Sequence, residues 1–397
     1  MLSISDEFQF RWDAAGRRLE AVPFDSRQPP RPLSDLDFAL FDGLLQGHQD
    51  SRRALVTHLA NPAAEAALAA LVAEGLILEP EHAGVKDAYY MPMLYFHMFV
   101  DPLKTAAYLR ALEQTVKPGM RVLDVGAGLG IFSVAAARLG AERVFAVEAR
   151  PILSTARALA AENGVADRID FIRGNLFDPE VAARIGEVDL VVSEFIGDEI
   201  FDEDILQKTL AIRRHFVRDP GRTRLLPRSL DAFAVPFECD LAVNRYANRL
   251  DRVRASGVSY GLAVESVVDL TRREGLRSDY SDRLYTGSFS EIPAEAFRFL
   301  GEPRLVHHAD LERADYAIWQ EHLELPLERS GRLDGVLLYF VSQLTAEVTL
   351  SSAPWLPRTH WPQVVYLRDG ERTVSPGESA RLAIAYTGGR GFTLHLD

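Results

Sequence analysis

The run Val122-Leu123-Asp124-Val125-Gly126-Ala127-Gly128-Leu129-Gly130 restricts the fold of this chain more than any other segment. A short apolar β-forming stretch meets three glycines at alternate positions, and a helix-forming stretch, Phe132–Leu139, follows directly. A strand that turns sharply into a helix needs glycine where the backbone must come closer to a ligand than a Cβ permits. A second β-rich run, Arg143–Glu148, ends in an acid eighteen residues past Gly130. A carboxylate there can accept both hydroxyls of a ribose. Two further runs, Ile169–Arg173 and Val188–Ser193, alternate with helical stretches such as Ile152–Asn163. This β-α rhythm predicts a parallel, doubly wound α/β sheet.

The 397 residues are too many for one compact core, and the texture predicts three regions. Residues 1–82 pair two strand patterns, Phe8–Trp12 and Arg18–Val22, with helices opening at Ser34-Asp35 and covering about Arg52–Leu59 and Pro62–Glu74. Residues 83–226 hold the doubly wound sheet. Residues 227–397 read as strands, among them Leu337–Val341, Ala346–Leu350, Val364–Leu367, Arg381–Tyr386 and Phe392–Leu396. A helix-tending stretch, about Asn244–Ala294, interrupts them. The formal net charge of −13 disfavours a nucleic-acid partner and suits long-range attraction of a basic peptide. No apolar run is long enough for a membrane helix. The N-terminus is unlike a secretory signal, and Cys239 is the only cysteine, which fits a cytoplasmic setting.

Asp124, closing the first strand just before the glycines, separates this turn from those of nicotinamide enzymes. Asp124-x-Gly126-x-Gly128 resembles motif I of class I methyltransferases. The resemblance implies S-adenosylmethionine as cofactor. It implies that Asp124 helps hold the methionine moiety, that Gly126, Gly128 and Gly130 frame the methionyl and ribose parts, and that Glu148 binds the ribose. Asn175 and Leu176, within Gly174–Asp178, fall where such enzymes contact adenine.

The fourth strand runs into Ser193-Glu194-Phe195-Ile196-Gly197-Asp198-Glu199-Ile200-Phe201-Asp202-Glu203-Asp204-Ile205-Leu206. Ligands of doubly wound sheets bind at the C-terminal ends of strands, and two carboxylates there can clamp a planar guanidinium. The loop resembles the double-glutamate loop of the protein arginine methyltransferases, with Glu194 and Glu203 nine residues apart. Thr359-His360-Trp361, with Gln363 following, resembles that family's threonine-histidine-tryptophan loop. The likeness runs from about Tyr89 to the C-terminus. It implies a Rossmann-type domain followed by a C-terminal β-barrel, catalytic roles for Glu194, Glu203 and His360, and a homodimer formed through the 244–294 arm.

Some positions depart from the family pattern. Tyr89-Tyr90 keeps the first aromatics, but Met93 replaces a second tyrosine and Phe195 a tryptophan. Tyr108 stands where the family places the arginine that holds the cofactor carboxylate; Arg110 is near enough to substitute if the helix shifts. Thr105 stands at the aspartate that pairs with the loop histidine. The acceptor expected is a nitrogen on a peptide or protein, arginine being the family's. An N-terminal amine, a lysine, a small molecule on the same scaffold and a catalytically silent adaptor stay open. Residues 1–82 resemble the winged-helix leader-recognition modules of ribosomal-peptide modifying enzymes, with a structural cap as the alternative. His307-His308 with Asp310 reads as surface, and no metal site is expected.

Overall fold

A computed structural model describes residues 2–4, 8–13, 15–23, 29–46, 52–78, 95, 98–150, 152–217, 222–260, 262–265, 267–268, 294–361, 364–368, 370–388 and 391–397. The Tyr89–Met93 segment and Gln363 lie outside them. So does most of the arm beyond helix Asp240–Tyr260.

The central sheet has five parallel strands in the order Arg224–Leu226, Leu190–Ser193, Arg121–Val125, Arg143–Glu148, Ile169–Arg173. Arg121–Val125 sits in the middle. The strand order reverses beside it, so its C-terminal end opens onto the crevice where such sheets bind ligands. Val122, Leu123, Val144, Ala146 and Leu190 are wholly buried, as expected of strands covered on both faces. Five helices belong to this part: Pro102–Thr115, Ile131–Arg138, Leu153–Glu162, Pro179–Ile185 and Ile205–Phe216. The strand Arg224–Leu226 is too short to carry a sequence signal of its own.

The C-terminal part is a curled, β-barrel-like body. Ser229–Glu238 pairs antiparallel with Gly335–Gln343 from Ser229↔Gln343 to Phe237↔Gly335. Arg304–Asp310, Thr349–Ser351 and Val364–Leu367 add to this sheet. A second sheet joins Trp319–Pro326, Ser379–Tyr386 and Phe392–Leu396. His307 corrects its reading as a surface residue. It is half-buried, stacks on Trp319 at 4.1 Å, and bonds Tyr316 Oη at 2.8 Å and Glu321 Oε1 at 3.1 Å. Contact with Trp319 of the neighbouring sheet covers the His307 ring, which a bare His-His-x-Asp string does not reveal.

The N-terminal residues form an antiparallel pair, Phe8–Trp12 with Leu19–Pro23, and three helices, Asp35–Leu45, Arg52–Leu59 and Ala64–Ala73. Ser34 caps the first helix in a capping box with Asp37. This unit is seated on the barrel. Trp12 is buried and donates its indole N–H to the Thr393 carbonyl at 3.1 Å. Asp42 accepts the N–H groups of Ala317 and Ile318 at 2.8 and 3.0 Å.

Candidate active site

A cavity of about 470 Å³ opens at the C-terminal end of Arg121–Val125. Asp124, Gly126, Gly128, Glu148, Asn175, Leu176, Glu194 and Glu203 all line it. Gly130 does not: it starts helix Ile131–Arg138 at φ +76° and lies against Ala156. Gly126 and Gly128 also have positive φ. A Cβ at 126 would collide with the Phe195 ring, and one at 128 would press on Tyr95. The cradle therefore tolerates no side chain, as a site for a closely held ligand requires.

Glu148 is tied down by backbone donors. Gly128 N–H donates to Oε2 at 3.0 Å and Arg150 N–H to Oε1 at 2.8 Å. Each oxygen keeps a lone pair for a ribose hydroxyl. Burial pushes the Asp124 carboxyl up to about 7, against the 2.6 Å hydrogen bond that Ser133 Oγ donates; the charge of Glu148 adds to the rise. A cationic ligand end beside Asp124 would restore its charge.

The loop from Glu194 to Asp204 holds six acids, and the fold sorts them. Glu199 accepts from Tyr366 Oη at 3.2 Å and from Phe392 N–H at 3.1 Å. Asp202 accepts the Glu199 N–H at 3.0 Å, and Asp204 accepts from Tyr386 Oη at 3.1 Å. Only Glu194 and Glu203 line the cavity among these six. Desolvation, and then the charge of Glu194, push Glu203 up to about 8. Glu194 Oε1 accepts the Ile196 N–H at 3.1 Å, and Oε2 lies 3.6 Å from Lys104 Nζ.

Comparison with known proteins agrees with this layout. Residues 104–209 match a family model described as Ribosomal protein L11 methyltransferase, and residues 291–397 match one described as Arginine methyltransferase oligomerization subdomain. An Arginine N(omega)-methyltransferase from Streptomyces achromogenes is 27% identical over 95% of this chain and 98% of its own. Protein arginine N-methyltransferase 6 of Danio rerio is 27% identical over 71% of this chain and 78% of its own. Among solved structures, Arabidopsis thaliana protein arginine methyltransferase 10 superposes with TM-score 0.61 at 20% identity, covering 77% of this chain and 99% of its own. The Trypanosoma brucei PRMT1 enzyme-prozyme complex with AdoHcy also gives 0.61 at 21% identity, over 75% and 89%.

The chain is an S-adenosylmethionine-dependent methyltransferase. Its fold is that of the protein arginine methyltransferases.

The methyltransferase departs from the sequence expectations at three places. His360 does not line the cavity. Its Nδ1 meets Asp101 Oδ2 at 2.8 Å, and its backbone N–H donates to the same oxygen at 2.9 Å. Asp101 precedes Thr105 by one helical turn and takes over the pairing assigned to that position. It also caps helix Pro102–Thr115 by accepting the Leu103 and Lys104 N–H groups. Burial alone would raise the Asp101 carboxyl, but the bonds from His360 and Lys104 hold it down at about 2. Beside His360, Trp361 donates its indole N–H to the Ile196 carbonyl at 2.6 Å, so the Thr-His-Trp loop braces the glutamate loop from behind. At the second place, Tyr108 is fully buried and donates its hydroxyl to the Ser193 carbonyl at 3.0 Å. At the third, Arg110 is exposed and does not line the cavity, so it is no substitute for the absent arginine.

Three cavity-lining cations, Lys104, Arg150 and Lys208, escaped sequence reasoning. Lys208, five residues past Glu203, lies 3.9 Å over the Phe195 ring. Burial lowers its pKa against the charges of Glu203, Asp204, Glu194 and Glu148. Helical spacing from Asp204 was its only signal, and that spacing is common by chance.

Proposed function

We propose that this enzyme transfers a methyl group from S-adenosylmethionine to a guanidinium nitrogen of arginine, with Glu194 and Glu203 as the acceptor clamp. One observation carries the reading: these two carboxylates face the cofactor cavity, while Glu199, Asp202 and Asp204 are spent on holding the loop. A guanidinium offers donors in a planar fork, which two carboxylates can grip while leaving one nitrogen facing the sulfonium methyl. The cofactor, when bound, supplies the electrophilic methyl. The acceptor nitrogen loses a proton as its bond to carbon forms. Glu203, with its raised pKa, is placed to take that proton and release it to water.

The names of the relatives support arginine. We place the arginine on a peptide or protein, with capture aided by the N-terminal unit. Its antiparallel pair, Phe8–Trp12 with Leu19–Pro23, followed by three helices, is a small unit of a kind suited to holding an extended leader peptide of a ribosomally made substrate. A second reading, free arginine, is favoured by the Streptomyces relative, which matches nearly end to end and whose name specifies no protein. A homodimer is supported by the match of residues 291–397 to an oligomerization subdomain, and a cytoplasmic setting by the lone buried cysteine.

The test is incubation with methyl-deuterated S-adenosylmethionine and, separately, free arginine and an arginine-containing peptide pool. Fragmentation mass spectrometry then locates the label. Label on a side-chain guanidinium of a peptide supports the main reading, and label on free arginine alone the second. Label on an N-terminal amine or a lysine would overturn both.

A further inference from the structure

A cofactor with a methionyl end brings a carboxylate into a cavity that Asp124, Glu148, Glu194 and Glu203 make acidic. Those acids suit the sulfonium and the amino group, but a carboxylate buried among them needs a cation of its own. Three cations line the cavity among the described residues: Lys104, Arg150 and Lys208. Arg150 flanks Glu148, two residues along, on the side assigned to the ribose. Lys208 rests on the Phe195 ring and already faces Glu203, Asp204, Glu194 and Glu148.

Lys104 differs from both. Its side chain is only 7% exposed, and its one ion-pair partner among the described residues is Glu194 Oε2 at 3.6 Å. That separation is longer than a hydrogen bond, so a buried ammonium with three donors holds them unspent beside the cavity. Tyr108, one turn further along the same helix, donates its hydroxyl to the Ser193 carbonyl at 3.0 Å, and Ser193 pairs with Val125, the residue after Asp124. This stretch of helix therefore lies at the Asp124 end of the cavity, where the methionyl part belongs.

We propose that Lys104 binds the α-carboxylate of the cofactor, and so links the cofactor electrostatically to Glu194 of the acceptor clamp. The proposal rests on the cofactor assignment and is independent of which acceptor is used. A charge-assisted pair of this kind contributes roughly ten- to hundredfold in affinity.

Isothermal titration of the full-length protein tests it, with S-adenosylmethionine and its decarboxylated analogue, which keeps the adenosine, sulfonium and amine. The native protein is expected to prefer the carboxylated form by roughly ten- to hundredfold. Lys104→Met should bring the two affinities to near equality, and Lys104→Arg should keep the preference. The preference surviving in Lys104→Met, or being absent from the native protein, would overturn the proposal. Its loss in Lys208→Met but not Lys104→Met would overturn it in favour of Lys208. If Lys104→Met binds neither nucleotide, Lys104→Gln decides on the same criterion. Failure of the native protein to bind either nucleotide would sink the cofactor assignment itself.

Discussion

Glu203 sits in a place that is costly for a lone carboxylate and favourable for one facing a cation. Burial and Glu194 hold its pKa near 8, so in the empty enzyme it carries a proton through much of the neutral range. Clamping a guanidinium requires the ionised form. The acceptor kcat/KM should therefore rise as pH increases through about 8 and then level off. The limb reports the ionisation of Glu203. A rate profile measured from about pH 6 to about pH 10 checks this; a flat acid side would show that Glu203 is already ionised at neutrality. Glu203→Gln should leave cofactor affinity intact by titration while lowering turnover on the order of a hundred- to a thousandfold, as losing one preorganised electrostatic contact does. Unchanged turnover would reduce the loop to scaffolding.

At the scale of elements, the glutamate loop is held in shape by its neighbours. Ile200 and Asp204 take positive φ, +65° and +59°, which non-glycine residues avoid, a β-branched residue especially. Gly197 meets the Asp202 carboxylate so closely that a Cβ there would clash. The strain is offset by Phe201, wholly buried against Trp319, Tyr386 and Phe392, and by the Trp361 bond to Ile196. Asp101 joins the helix Pro102–Thr115 to the Thr-His-Trp loop. Its folded pKa lies below the ordinary carboxylate value, so its stabilisation is present above that value and fades as pH falls toward 2. Asp101→Asn should lower unfolding free energy by about 1–3 kcal/mol at neutral pH, combining a lost cap with weakened bonds to His360. Denaturant titrations at neutral pH and near pH 2 test the sign, because the deficit should shrink at the lower value.

Across the whole molecule, the N-terminal unit and the barrel share packing. Trp12 is buried against His322 at 4.9 Å and bonded to Thr393. Asp42 serves two backbone donors of the barrel chain, and Arg214 bonds the Gln46 carbonyl at 2.9 Å. A unit docked this way unfolds with its host. Trp12→Ala should cost about 3–5 kcal/mol and lower a single cooperative melting transition. A separate early transition, with the main one unmoved, would show that residues 1–78 fold independently of the rest.

Local pattern determined a good deal about this protein by itself. The four strands from Arg121 to Ser193, the glycine turn, Glu148 and the Glu194/Glu203 spacing were all legible. Each depends on residues close in sequence, where periodicity and glycine geometry carry the information. The capped helix after Ser34 and the terminal strands Val364–Leu367 and Phe392–Leu396 were legible for the same reason. Contacts between distant segments were not. That His360 pairs with Asp101 rather than Thr105, that the His307 ring is covered by Trp319, and that Lys104 and Lys208 line the cavity follow from how the barrel, the sheet and their helices meet. The sorting of six neighbouring acids into a facing pair and structural supports had the same origin. A carboxylate's role is set by the donors and charges around it, and those arrive from segments up to 193 residues away, as the Phe392 N–H does at Glu199.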